Sequence, residues 1–385
     1  MQTLIELFDK RPIANVLGTE MFRPERTVFL CDKEISENRE LQQKLKNYFK
    51  QRGLKTQIQF RETATLNAAS VKRALEAVVK QYPDCALDIS GGSDAALFAG
   101  GLLCAEQPLP VFTYSRKRNT FFDIQNAPFA HDVRCDVLLS APDCFAAAGG
   151  SVRQGRVDNA VLDQYTGQIN GFFALFLKHR RQWQKLVSYL QRVSPTPREG
   201  TPSLFVDAPW QVNGDRGMLT ANEEALRDLA ELGFLRELEL QPEKQVRFSF
   251  ADGQIRTWLR DVGSVLELYV WKACVGSRLY QDVRVSVVVD WEGRNTRDGV
   301  SNEIDVVAVR GIRPVFISCK TCEIHTEALN ELAILRDRFG GEVARAIIVS
   351  AERASTVTRN RAAELDIEVI DLDELDPEQL SKRIQ

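Results

Sequence analysis

The sequence predicts an α/β protein of three parts, and three observations carry that reading. In residues 1–150, short apolar runs alternate with amphipathic helical stretches, the pattern of a parallel sheet with helices on both faces. Residues 261–385 return to the alternation in another order, helix first and then a hairpin. Between them lies a run rich in Pro, Ser and Thr, followed by a helix and two short strands. A chain of 385 residues also exceeds what one ordinary core serves.

In the N-terminal part, residues 27–31 read as a strand and 34–51 as a charged helix. Residues 55–60 form a second strand and 67–81 a second helix. Residues 85–89 are a buried strand that runs into Ser90, Gly91, Gly92 and Ser93, then a helix over 95–105 and a strand over 111–114. This is a Rossmann-like order. Residues 151–260 are expected to form a helical linker and a small winged-helix-like module. The segment 157–192 reads as helix and carries Lys178, His179, Arg180 and Arg181 beside Trp183. The run 194–202 breaks regular structure and is the best linker. A helix over 221–232, with Thr220 as its expected N-cap and Gly233 as its stop, leads to strands at 234–240 and 246–250. In the C-terminal part, a helix over 263–275 precedes strands at 282–291, 304–310 and 314–319, a helix over 325–339, a strand over 344–350, and a last helix and strand.

Composition narrows the function. The chain is 44% hydrophobic and 27% charged with a net charge of −3, and no block is strongly basic, so a nucleic-acid site must be a local patch. Apolar stretches stop well short of the ~18 residues a membrane span needs. The N-terminus lacks the basic and apolar regions of a secretory signal, which predicts a cytoplasmic protein. Eight scattered cysteines do not make a disulfide framework, and three histidines argue against a multi-histidine metal centre.

The chemistry concentrates near the C-terminal hairpin. Glu303 and Asp305 lie two apart on one strand and therefore share a face; Ser318 and Lys320 share a face of the next strand, opposite Ile317 and Cys319. The connecting residues 310–314 form a turn that brings the polar ends together. Carboxylates beside a lysine can hold a divalent cation next to a phosphate, with the ammonium stabilising the developing anion. Upstream, Glu267 interrupts an apolar helix, and a carboxylate there needs a partner such as a shared metal. Asp290, at the end of the preceding strand, is a weaker candidate. A rival set, Cys319, Cys322 and His325, offers too few ligands for a closed zinc site.

Helix Glu267, hairpin Asp305 and a short step to Lys320 resemble the PD-(D/E)xK nuclease core over roughly residues 263–370. The resemblance implies a restriction-endonuclease-like domain holding Mn2+ or Mg2+ on Glu267, Asp305 and the Cys319 carbonyl, with Asp305, Lys320, Glu303 and Ser318 at the reacting phosphodiester. Ser318 stands where the pattern usually has an acid, and Glu303 is the expected substitute.

The strand ending at Asp88 and Ile89, the loop Ser90-Gly91-Gly92-Ser93 and the helix opening at Asp94 offer backbone amides suited to phosphate or ribose. Fused to a nuclease core, this loop resembles the CRISPR-associated Rossmann-fold (CARF) sensors. Over its full length the chain is similar to the cyclic-oligoadenylate-activated CRISPR ancillary nucleases. That family implies ligand contacts at Ser90, Gly91, Gly92, Ser93 and Asp94. A second loop after the first strand, including Asp9 and Asn15, adds further contacts. It also implies a homodimer that binds a ring, expected to be cyclic tetra-adenylate, across its two-fold axis and then cleaves DNA or RNA in type III CRISPR defence. The competing reading is a ligand-sensing DNA-binding regulator that uses residues 203–260 as a winged helix and the nuclease fold as scaffold.

Overall fold

The computed structural model describes every residue except Arg198, Arg216 and residues 294–299; Arg198, within the expected linker, thus lies outside the described residues. The N-terminal part runs β1 (Thr3–Leu7), α1 (Leu17–Phe22), β2 (Arg26–Cys31), α2 (Lys33–Glu37), α3 (Arg39–Gln51), β3 (Gln57–Glu62), α4 (Ala68–Gln81), β4 (Cys85–Asp88), α5 (Asp94–Glu106), β5 (Val111–Ser115), β6 (Thr120–Gln125), β7 (Val133–Arg134) and α6 (Ala141–Ala147). Its seven strands form one sheet in the order β3-β2-β1-β4-β5-β6-β7. Every pair from β3 to β5 is parallel, and β6 and β7 close the edge antiparallel.

The sheet has its topological switch at β1, because the chain builds β2 and β3 on one side and then returns to lay β4 on the other. Loops leaving the carboxyl ends of β1 and β4 must therefore diverge around a crevice, the usual ligand position in such sheets. Those are the two loops singled out by sequence. The single helix expected over 34–51 is two helices. Asn38 ends α2 and caps α3 by accepting from the Leu41 amide at 3.0 Å, as a short amide side chain favours.

The middle part contains β8 (Ser151–Gln154), α7 (Thr166–His179), α8 (Trp183–Val193), β9 (Phe205–Pro209), β10 (Gln211–Gly214), β11 (Gly217–Thr220), α9 (Glu223–Glu231), β12 (Leu235–Gln241), β13 (Gln245–Phe250) and α10 (Gly253–Leu259). Strands β12, β13 and β9 make a three-stranded antiparallel sheet beside α9 and α10. The N-cap of α9 is Asn222 rather than Thr220, since β11 continues through Thr220 and the Asn222 carboxamide accepts from the Ala225 amide at 3.1 Å.

The C-terminal part adds α11 (Ser264–Gly276), β14 (Asp282–Asp290), β15 (Ser301–Arg310), β16 (Arg313–Lys320), α12 (Thr326–Phe339), β17 (Arg345–Ser350), α13 (Thr356–Glu364), β18 (Glu368–Ile370) and α14 (Pro377–Arg383). Its sheet runs β18-β17-β16-β15-β14-β8, so the strand that follows α6 forms the far edge of the C-terminal sheet. One apolar core joins α7, α8 and the three-stranded sheet to α11 and one face of the C-terminal sheet; Trp183, Trp258 and Phe176 are buried in it. A second core joins α6 and α12 to the other face and continues to β5 and β6.

Candidate functional site

Asp305, near the middle of β15, is the centre of the C-terminal site. Its Oδ2 accepts from the Cys319 backbone amide at 2.6 Å and the Ser318 hydroxyl at 3.2 Å, and lies 3.9 Å from the Lys320 ammonium. The two-residue turn at Gly311 and Ile312, with Gly311 at φ +63°, folds β15 onto β16 in the register this requires. Burial raises the Asp305 carboxyl above its ordinary pKa, and the Lys320 charge and the Cys319 amide oppose that rise. The Cys319 side chain points into the apolar core, as the alternation of β16 predicts.

Glu267 occupies the first turn of α11, a helix apolar on all sides. The helix start is fixed by Asp261, whose Oδ1 accepts from the amides of Gly263 and Ser264 at 2.9 and 2.8 Å. A Cβ on Gly263 would stand 2.8 Å from Glu267 Oε1, so the residue opening the helix leaves room for the carboxylate. Burial first, and then the charge of Asp305, push the Glu267 carboxyl up to about 8. Glu267 Oε2 has no hydrogen-bond partner among the described residues. On β15, Glu303 Oε1 accepts from the Ser286 hydroxyl at 2.5 Å. The structure thus brings Glu267, Glu303, Asp305, Ser318 and Lys320 into one neighbourhood.

Two members were missed by sequence. Asp261 reads only as a helix cap, and Arg156 follows an edge strand with no pattern around it. The Arg156 guanidinium pairs with Asp261, Glu267 and Glu303 together, which raises its own pKa despite partial burial. Asp290 is outside the group; it caps a turn by accepting from the Glu292 and Gly293 amides, both at 2.9 Å. Cys319, Cys322 and His325 do not converge: among the described residues the one group of three His, Cys, Asp or Glu side chains with ligand atoms within 4.8 Å of one another is His179, Glu224 and Asp228. The Lys178 ammonium already bonds Glu224 and Asp228 there. Trp183, beside this basic run, is buried and donates to the Val262 carbonyl at 3.2 Å.

At the switch of the N-terminal sheet, Asp9 joins the two loops. Its carboxylate accepts from the Gly92 amide at 2.7 Å and from Arg11 at 2.6 and 2.8 Å, bonds that hold it below its ordinary pKa against the opposing effect of burial. Asn15 is buried and grips the Asp9 backbone, accepting from its amide at 2.8 Å and donating to its carbonyl at 2.7 Å. Gly92 has φ +102°, and a Cβ there would meet Leu7 at 2.6 Å; one on Gly91 would meet Ala14 and Asp9 at 3.0 Å. Both glycines are thus required by close packing. Ser90 accepts from the Tyr114 amide at 2.8 Å and donates to Asp88. Ser93 caps α5, and Asp94 opens its first turn.

Asp9, Asn15, Gly92 and Ser93 line a cavity of about 850 Å³, together with Lys10, Arg11 and Lys44. Its wall also includes Ala146 at the end of α6, Gly149 just beyond it, and Arg338 and Glu342 from the C-terminal part. Sequence reading missed these walls, because only the fold brings α3, α6 and the end of α12 to the loops.

These features define a protein in which an acid–lysine hairpin site lies in the six-stranded sheet and a glycine-loop cavity at the switch point of the seven-stranded one. Residues 256–384 match the family model of the Card1-like endonuclease domain. No curated protein matches the chain. Among solved structures, protein VC1899 from Vibrio cholerae aligns with 99% of this chain and 96% of its own at TM-score 0.75 and 19% identity. Can2 from Sulfobacillus thermosulfidooxidans, in complex with cyclic tetra-adenylate, aligns with 99% of this chain and 98% of its own at TM-score 0.70 and 18% identity. The C-terminal third thus matches a Card1-like endonuclease domain, and the fold of the whole chain is shared with Can2, as the resemblance drawn from sequence implied. Among the described residues, no helix is long and apolar enough to cross a membrane.

Proposed function

We propose that this chain is a metal-dependent nuclease switched on by a cyclic oligoadenylate, with residues 1–150 as sensor, 151–260 as linker and winged-helix-like module, and 261–385 as nuclease. The observation that carries it is the joining of Asp305, the Cys319 amide and Lys320 at one point beside Glu267, whose second oxygen is buried without a partner. That orphaned oxygen and the carboxylate and carbonyl donors fit a hard divalent cation, Mg2+ or Mn2+. Glu267, Asp305 and the Cys319 carbonyl would hold it, with Glu303 in place of the acid absent at Ser318. When bound, the ion neutralises phosphate charge and acidifies water. Lys320 stabilises the developing anion, Ser318 orients Asp305, and the Cys319 amide keeps that carboxylate aimed.

The sensor assignment draws on the cavity between the two loops and on the ring held by Can2, a protein of the same fold. Arg11, Lys10 and Lys44 supply positive charge, and the loop backbone is suited to phosphate. Phe98 and Leu102 are exposed on α5, a helix apolar on all sides, which supports a homodimer that covers them and places one ring across two copies.

Ser318 favours a second reading, a ligand-sensing DNA-binding regulator, because a hydroxyl is a poorer ligand than the acid it replaces. Cleavage of labelled single-stranded RNA, single-stranded DNA and supercoiled plasmid, with Mn2+ or Mg2+, with and without cyclic tetra-adenylate, and with Lys320→Ala as control, separates the two. The nuclease reading requires metal-dependent cutting that disappears in the variant. Sequence-selective DNA binding with no cutting of any substrate would establish the regulator.

A further inference from the structure

The chain that leaves the sensor cavity ends in the nuclease site. Ala146 and Gly149 line the cavity, β8 follows at once, and Arg156 stands two residues beyond β8. Here the backbone presses against β14 so closely that a Cβ on Gly155 would lie 2.0 Å from the Ser286 carbonyl oxygen. Ser286 is itself in the left-handed region at φ +55°, an uncommon conformation for a residue with a side chain. It uses its hydroxyl twice, accepting from the Arg156 amide at 2.8 Å and donating to Glu303. With its backbone fixed in this way, Arg156 extends its guanidinium to Glu267 Oε1 and Glu303 Oε1, 3.1 Å from each, and to Asp261.

We propose that Arg156 is a built-in competitor for the divalent cation, a positioning residue that must withdraw before the metal can take the site. The inference rests on the metal reading of Glu267, Glu303 and Asp305. A planar guanidinium satisfies three carboxylates at once and holds them together without a metal. Arg156 holds Glu267 and Glu303 by Oε1 while Glu267 Oε2 is left without a partner among the described residues, so a metal there would meet a positive charge on the same carboxylates, and the two cations oppose each other. By linkage, whatever draws Arg156 away tightens metal binding, and metal binding favours the withdrawn arrangement. Because residues 146–156 run from the cavity wall to this guanidinium, a ring that moves the wall changes how tightly Arg156 is held.

Calorimetric titration of the full chain with Mn2+, with and without cyclic tetra-adenylate, tests this. Arg156→Gln is expected to bind Mn2+ ~tenfold or more tightly than the wild type, the loss of one competing ion pair. The ring should tighten Mn2+ binding to the wild type and leave Arg156→Gln unchanged. Should that variant lose its fold by circular dichroism, Arg156→Lys decides on the same terms, since an ammonium cannot span three carboxylates and the gain should still exceed ~threefold. Wild-type binding of Mn2+ that the variants fail to improve overturns the competitor alone. Absence of Mn2+ binding in wild type and variants overturns the metal reading and the competitor with it.

Discussion

One group of acids lies in the seven-stranded sheet and another at the six-stranded sheet, and the groups differ in what balances them. In the N-terminal sheet, Glu6 and Asp88 face each other on the paired strands β1 and β4, both almost fully buried. Glu6 Oε1 and Asp88 Oδ2 have no hydrogen-bond partner among the described residues. Burial pushes the Asp88 carboxyl up to about 7 and raises Glu6 well above its ordinary value, with Asp88 adding to the rise. Burial thus favours the protonated forms of this pair. In the C-terminal sheet, Glu267, Glu303, Asp261 and Asp305 are balanced by Arg156 and Lys320. An acid group held by exchangeable cations can trade one for another; a pair held by protons can only be covered. The difference fits the chemistry proposed for the second group and an architectural role for the first, where Asp88 braces the glycine loop by accepting from the Ser90 amide at 2.7 Å.

The comparison is broken most severely at the catalytic end. Asp305→Asn should lower the cleavage rate ~100-fold or more in a single-turnover assay, because it weakens the metal site and the Lys320 contact together. Thermal unfolding of the same variant should change little. If Asp305→Asn cleaves like wild type, the cation-held group is architecture as well.

Next in size is Gly18→Ala, which adds a methyl 2.5 Å from Asp88 Oδ2 and 2.7 Å from Glu6 Oε1. It should destabilise by about 2 kcal/mol through overpacking against the acid pair, read as a lowered Tm. Catalysis by the folded fraction should be retained.

The proton-held pair also predicts a pH dependence of definite sign. Both native pKa values are raised, so the folded state binds more protons than the unfolded chain between about pH 4 and the native values. Stability from this pair is therefore present at low pH and is lost as pH rises through about 7. Asp88→Asn keeps an acceptor for Ser90 and removes a titrating charge, so the fall in Tm between pH 5 and pH 8 should shrink by the equivalent of about 1 kcal/mol. An unchanged profile would mean the pair does not retain its protons.

The smallest effect belongs to the exposed trio. Lys178→Ala removes contacts to Glu224 and Asp228 at the surface. It should shift stability by less than about 1 kcal/mol, since exposed ion pairs are weak, and leave cleavage unaffected.

How much of this was legible in the sequence follows the same division. The hairpin site was readable because strand alternation fixes the faces of Glu303, Asp305, Ser318 and Lys320 and a short turn fixes their meeting. The glycine loop between β4 and α5 was readable as a loop because two glycines punctuate the change from strand to helix, whereas its ligand role came only from the resemblance. Strand β1, an interior strand of its sheet, was harder to see because Glu6 interrupts Leu4, Ile5 and Leu7; a buried acid conceals a strand from any reading of hydrophobic runs. Arg156 was invisible because its partners lie more than 100 residues away. The nearest sequence signal, Gly155 before it, has meaning only once Ser286 stands against it. Likewise Arg338 and Glu342 reach the N-terminal cavity through the packing of segments far apart in the chain, which no local pattern encodes.

The central claim is that occupancy of the cavity in one sheet controls chemistry in the other. It is tested most directly by titrating cyclic tetra-adenylate against the cleavage rate at fixed Mn2+, for wild type and for Gly92→Val, which forces a side chain into Leu7 from a backbone at φ +102°. The account predicts cleavage that rises from near zero with the ring in the wild type, and a midpoint moved to higher ring concentration in the variant. Cleavage at full rate without the ring, equal in both proteins, would contradict it.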